Sequence, residues 1–228
     1  MIDHIDTIRT QSARVSELAG SGPLDAPVDS CPGWTLRDLV EHLGGVQRFW
    51  AEAVHEGRPE GPWVGETPGP PSDEGLGAWF DAGTELLIGA LGDAGPDAAC
   101  WTWWGEPRTA GAVARHQVQE AAVHRWDAES SCGPPPPIDT EVAVDGVPEF
   151  LEVMFATRPP ALTGTIAFAA SDTGDTWRLG GDGSPDLTVD ATASDLLLVL
   201  YRRRQPTVVD LLGEAGLLHE LFTMYDCE

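Results

Sequence analysis

The segment HQVQEAAVHRWDAE, residues 116–129, decides how the N-terminal half of this chain is read. Residues four apart lie one turn apart on the same side of a helix. His116, Glu120 and His124 therefore form one stripe, which Asp127 continues. Val118, Ala121 and Ala122 form a separate apolar strip, so the helix has a side to bury and belongs in a bundle. A carboxylate and an imidazole one turn apart are two of the three protein ligands of a catalytic metal site. The alternative for such a pair is a solvated helix face. With only six histidines in the chain, two in this stripe favour the site.

A third ligand must come from elsewhere, and CPGWTLRDLVEHLGG offers His42. Thr35 reads as a helix cap, with Asp38 at the capping-box position and Leu36, Leu39, Leu43, Val46 and Phe49 behind it. His42 falls beside Leu39, Val46 and Phe49, so it faces inward. It is either a buried core histidine or a partner for an inward Glu and His on a facing helix, which is how bundles build metal sites. Asp38, one turn earlier, either caps the helix or accepts a hydrogen bond from the far nitrogen of His42 and fixes its tautomer. A His2Glu set leaves a coordination position open, which means chemistry rather than structure alone. Zinc leads; iron, nickel or manganese would accept the same donors.

Outward from these segments, helices are expected over Ile2–Leu18, from Thr35 to about Glu56, over Glu74–Leu91 and from Thr109 to about Glu129. The Pro/Gly-rich stretch from Gly57 to Ser72 is loop. SSCGPPPPID is a break between domains. Beyond it, Val142–Ala156 has helical spacing, and Gly146 and Pro148 argue for a later start to that helix. Strands are expected from Thr163, from Thr176 and from Asp186. Ser194 is expected to cap an apolar helix to Tyr201, with a strand at Thr207–Leu211 and a helix at Gly216–Tyr225 following. Trp101, Trp103 and Trp104 precede the ligand helix, as loop anchors or as a wall of the substrate cleft.

Composition narrows the function. The net charge is -24, and all 13 basic residues are Arg. Such a surface repels phosphate backbones, so no nucleic-acid partner is expected. No apolar run is long enough to span a membrane, and MIDHIDTIRT lacks the apolar core of a secretory signal, so a cytoplasmic protein is expected. Cys31, Cys100, Cys132 and Cys227 are far apart with no CxxC, which argues against disulfides or a zinc knuckle. Nothing in its flanks activates Cys31, although it lies just before the His42 helix.

CPGWTLRDLVEHLGG and QEAAVHRWDAE resemble motifs of the mycothiol-dependent maleylpyruvate isomerase family, and ATASDLLLVLYRRRQ resembles its C-terminal part. The resemblance spans nearly the whole chain and is weakest over Gly57–Pro71 and Cys132–Pro137. It implies an α+β protein: a DinB-like metal-binding four-helix bundle over residues 1–135, then a small α+β, sterol-carrier-like domain over 136–228. His42, Glu120 and His124 would be the metal ligands, and mycothiol the thiol cofactor. Arg203 would hold a substrate carboxylate, with Arg202 and Arg204 as neighbouring registers. The alternative for this Arg run is a helix end complementing the dipole. The chain departs from many relatives in having Gln119 where they have His. The implied activity is cis-trans isomerisation of a small electrophile by thiol addition and elimination. An S-transferase for an electrophilic toxin or biosynthetic intermediate, or a non-catalytic small-molecule-binding protein, are the alternatives. A monomer or weak homodimer is expected.

Overall fold

Thr35 starts the helix that carries His42. Its side chain accepts from the Asp38 N–H while the Asp38 carboxylate accepts from the Thr35 N–H at 2.8 Å, a reciprocal capping box. The helix, α2, runs Leu36–Glu56 and stops at Gly57, whose φ of 62° suits a residue without a side chain. In the computed structural model, which describes residues 2–70, 72–155, 162–181 and 183–225, three more long helices accompany it: α1 His4–Ser21, α3 Leu76–Ala94 and α4 Ala110–Ser130. Thr109 caps α4 through the Ala112 N–H.

The chain divides into two compact units, Met1–Pro136 and Pro137–Glu228. In the first, α2 packs on α3, α1 packs on α3 and α4, and α2 closes against α4. Leu36, Leu39 and Leu43 of α2 and Leu76 and Phe80 of α3 are fully buried there with Val15 of α1. Burial of each such side chain contributes about 1.5–3 kcal/mol. α2 and α3 approach closely because Gly44 leaves room: a Cβ at that position would stand 2.3 Å from the Trp79 ring. Arg48, one turn on, donates to the Gly44 carbonyl at 3.0 Å and lies over the Trp79 ring at 4.0 Å.

The second unit contains α5 Thr140–Phe155, β1 Ile166–Ala170, β2 Thr176–Leu179, β3 Leu187–Ala191, α6 Ala193–Leu200, β4 Asp210–Gly213 and α7 Gly216–Phe222. The sheet order is β2-β1-β3-β4, with β1 and β3 parallel and both outer pairs antiparallel. α6 packs on α5, β1 and β3. A helical first unit followed by a mixed sheet with helices is the α+β architecture expected.

Three local readings change. Gly146 and Pro148 do not delay α5, which starts at Thr140 and passes through both. Thr192, not Ser194, caps α6 by accepting from the Asp195 N–H; the Ser194 hydroxyl instead accepts from the Ile138 N–H at 2.9 Å. The strand expected at Thr207 begins only at Asp210, because Pro206 opens a short 3-10 turn with its fixed φ and missing N–H.

The capping box gives a pH prediction. Hydrogen bonds from the Thr35 hydroxyl, then from the Thr35 backbone, hold the Asp38 carboxyl below its ordinary value. A lowered native pKa contributes stability that is present above the unfolded value, near pH 4, and is lost as pH falls through the native one. Asp38→Asn should lower stability at pH 7 by about 0.3–1 kcal/mol, the worth of an exposed negative charge at a helix N-terminus. The deficit against wild type should shrink below pH 4 in urea titrations; a constant deficit would contradict the assignment.

Candidate metal centre

His42 comes from α2, and Glu120 and His124 come from α4. One ligand atom of each lies within 4.8 Å of the others. The His42 and His124 rings meet edge-on, with centroids 5.2 Å apart. His124 Nε2 stands 3.6 Å from Glu120 Oε2. Two ligands each about 2.1 Å from a tetrahedral ion stand about 3.4 Å apart, so this spacing and a two-imidazole, one-carboxylate set fit a divalent cation. The His124 side chain is 5% exposed and that of Glu120 24%, so solvent reaches the cluster from the carboxylate's side.

The other residues singled out in the sequence fall around this cluster in different ways. His116 is buried, and its Nε2 is 3.5 Å from the second oxygen of Glu120. Asp127 is fully buried against His124, with Oδ2 3.0 Å from Nδ1. Asp38 accepts from the Thr35 hydroxyl at 2.7 Å as well as from its N–H, so its carboxylate serves the helix start; the Trp34 ring lies beside His42 at 4.8 Å, in addition to that of His124. Trp104 is buried and tilted against His116 at 4.8 Å, and Trp101 stacks on Trp50 at 5.9 Å. Trp103 is 45% exposed and edge-on to His116 at 5.8 Å, so it presents an aromatic surface next to the cluster. Gln119 is fully buried. Trp34 and Trp50 escaped the sequence reading; the PGW triplet before the cap was the available signal for the first.

The arginines after α6 are sorted by their partners. Arg202, at φ 58°, donates to the Phe222 and Tyr225 carbonyls. Arg204 pairs with Asp195. Arg203, half-buried, donates to the Tyr201 carbonyl at 3.0 Å.

The cysteines give a chemical prediction. Burial pushes the Cys100 thiol up to about 11, and Cys31 is buried, whereas Cys132 is exposed. Thiolate is the reactive form. Native protein at pH 7.5 should lose one rapidly labelled thiol on Cys132→Ser, and Cys100 should label only after unfolding. Rapid native labelling of Cys100, read by peptide mass spectrometry, would contradict this.

A helical bundle holding a His2Glu cluster, joined to a small α+β unit, defines the class: an α+β protein with a candidate catalytic metal centre in its bundle. Residues 5–129 match the mycothiol maleylpyruvate isomerase N-terminal domain, and residues 141–220 match the C-terminal domain of the same family. The chain belongs to the mycothiol maleylpyruvate isomerase family. It resembles two crystal structures of mycothiol-dependent maleylpyruvate isomerase. One, a histidine-to-alanine mutant, aligns with a TM-score of 0.72 at 13% identity, and the other with 0.68 at 14%, each over 94% of both chains. At that identity the likeness is one of fold. No curated protein matches the chain. Among the described residues, no helix is long and apolar enough to cross a membrane.

Proposed function

We propose that this chain is a metal- and thiol-dependent isomerase that converts the cis double bond of an enone acid such as maleylpyruvate to trans, with mycothiol as the thiol. The observation that carries this reading is the convergence of His42, Glu120 and His124 within 4.8 Å, in a chain of this family. A divalent cation, zinc foremost, would supply Lewis acidity and favour the deprotonated form of a thiol at neutral pH. The chemistry the thiol supplies when bound is reversible addition to the conjugated alkene, which leaves a single bond free to rotate before elimination.

The chain's own groups do the rest. His42 and His124 present ring nitrogens from two helices, and Glu120 adds a negative charge that favours a cation between them. Three protein donors leave a position for a further ligand. The burial of His124 keeps water from its side of the cluster and strengthens the field there. Trp103 offers a flat apolar surface to a substrate's carbon skeleton. Arg203, taken by resemblance as the family's arginine after the leucine-rich helix, would grip a substrate carboxylate through two parallel N–H donors. A cytoplasmic location suits a reaction that depends on a thiol kept reduced.

Purified protein should carry about one equivalent of divalent metal and isomerise maleylpyruvate only when mycothiol is added. Absence of metal, or equal rates without thiol, would refute the reading. A stable thiol conjugate of the substrate, found by mass spectrometry, would make the chain an S-transferase instead.

A further inference from the structure

Asp127 is the most deeply placed acid of the bundle: its side chain is 0% exposed. A buried carboxylate is costly unless donors surround it. Polar partners reach it from two elements far apart in sequence. The Ser30 hydroxyl donates to Oδ1 at 2.6 Å, the Cys31 thiol donates to Oδ2 at 3.8 Å, and His124 Nδ1 lies 3.0 Å from Oδ2. Ser30 and Cys31 sit in the turn before α2, so this turn is tied to the last two turns of α4.

A carboxylate only accepts hydrogen bonds, so a 3.0 Å contact with it requires the His124 proton on Nδ1. Nε2 then carries the lone pair, and Nε2 is the nitrogen that faces Glu120 Oε2 at 3.6 Å. Two acceptors facing each other without a proton between them repel, and a cation relieves both. The rotation of the His124 ring and the site of its proton are thus set on the side away from the cluster.

We propose that Asp127, held by Ser30 and Cys31, is the positioning residue of this centre: it fixes His124 in the Nδ1–H tautomer and so aims the Nε2 lone pair at the cation position. The inference rests on the metal reading above. Cys31, His124 and Asp127 also lie within 4.8 Å of one another, as a second ligand set would. The hydrogen-bonded arrangement is favoured because His124 Nδ1 and Asp127 are already at donor–acceptor distance, and Ser30 satisfies the other oxygen. Partners of this kind typically change metal affinity by about 10–100-fold.

Two measurements test it. In metal-free wild type, long-range 15N–1H correlation spectra of the histidines should show His124 protonated on Nδ1; in Asp127→Ala that signature should shift toward the Nε2–H form. Zn2+ affinity, measured by competition with a chromophoric chelator, should fall about 10–100-fold in Asp127→Ala. It should fall less in Asp127→Asn, whose carbonyl still accepts from Nδ1–H. Wild-type His124 protonated on Nε2 would overturn the proposal without any variant, should Asp127→Ala fail to fold. So would unchanged Zn2+ affinity in Asp127→Ala, or two equivalents of Zn2+ per chain with one lost in Cys31→Ser. Failure of wild type to bind Zn2+ at all would instead overturn the metal reading, while the tautomer result would still stand or fall by itself.

Discussion

Replacing His42 by Ala should strip the protein of its divalent metal and abolish mycothiol-dependent turnover. His42 is the α2 contribution to a cluster whose other two members share α4. Without it, Glu120 and His124 remain as a pair on one helix, which is the weak spacing common on solvated helix faces. Even outer partners of a metal ligand are worth about 10–100-fold in affinity, so loss of a ligand should cost at least about 100-fold. Anything that binds only the folded state stabilises it, so added Zn2+ should raise the melting temperature of wild type and leave that of His42→Ala unmoved. His55→Ala is the control, an exposed histidine on the same helix. Elemental analysis and thermal melts with and without Zn2+ read the outcome. A His42→Ala protein that keeps its metal and its Zn2+-dependent melting shift would show that the cluster is not the metal's site.

Arg203→Met should lower kcat/KM for a carboxylate substrate by roughly 10- to 100-fold, the value of a charge-assisted hydrogen-bonded pair. Met keeps much of the apolar stem, so packing of the half-buried side chain is largely spared. Arg202 and Arg204 provide the contrast. Arg204 is engaged with Asp195 and Arg202 with the carbonyls of Phe222 and Tyr225. Arg204→Met should change kcat/KM little, and Arg202→Met should show mainly in stability. An amide analogue of the substrate should erase the difference between wild type and Arg203→Met. Equal losses in all three variants, or a loss that persists with the amide, would remove Arg203 from substrate binding.

Much of the bundle was legible in the chain because its signals are local. Thr35 and Thr109 are capping side chains next to apolar periodicity, and the structure starts helices after both. The stripe of His116, Glu120, His124 and Asp127 follows from 3.6 residues per turn alone. The C-terminal unit was less legible where two readings compete within a few residues. Thr192 and Ser194 are both good caps. The choice fell to Thr192 because the Ile138 N–H, from another part of the unit, takes the Ser194 hydroxyl. Pro148 reads as a helix break, yet α5 continues through it with Gly146, Val147 and Phe150 buried, an instance of tertiary packing overriding local preference.

At the centre the division is sharper. The chain alone determined that Glu120 and His124 share a helix face, since backbone geometry dictates it. It left open whether His42 met them and what Asp38 and Asp127 each did. Those answers needed α2 to close against α4, a contact made by packing of side chains distant in sequence. That packing placed Ser30 on Asp127 across 97 residues and turned the Asp127 carboxylate to His124. It left the Asp38 carboxylate on Thr35. Two aspartates of similar sequence promise took different roles because only Asp127 was carried into a dry interior, where a carboxylate must find donors or not be there at all.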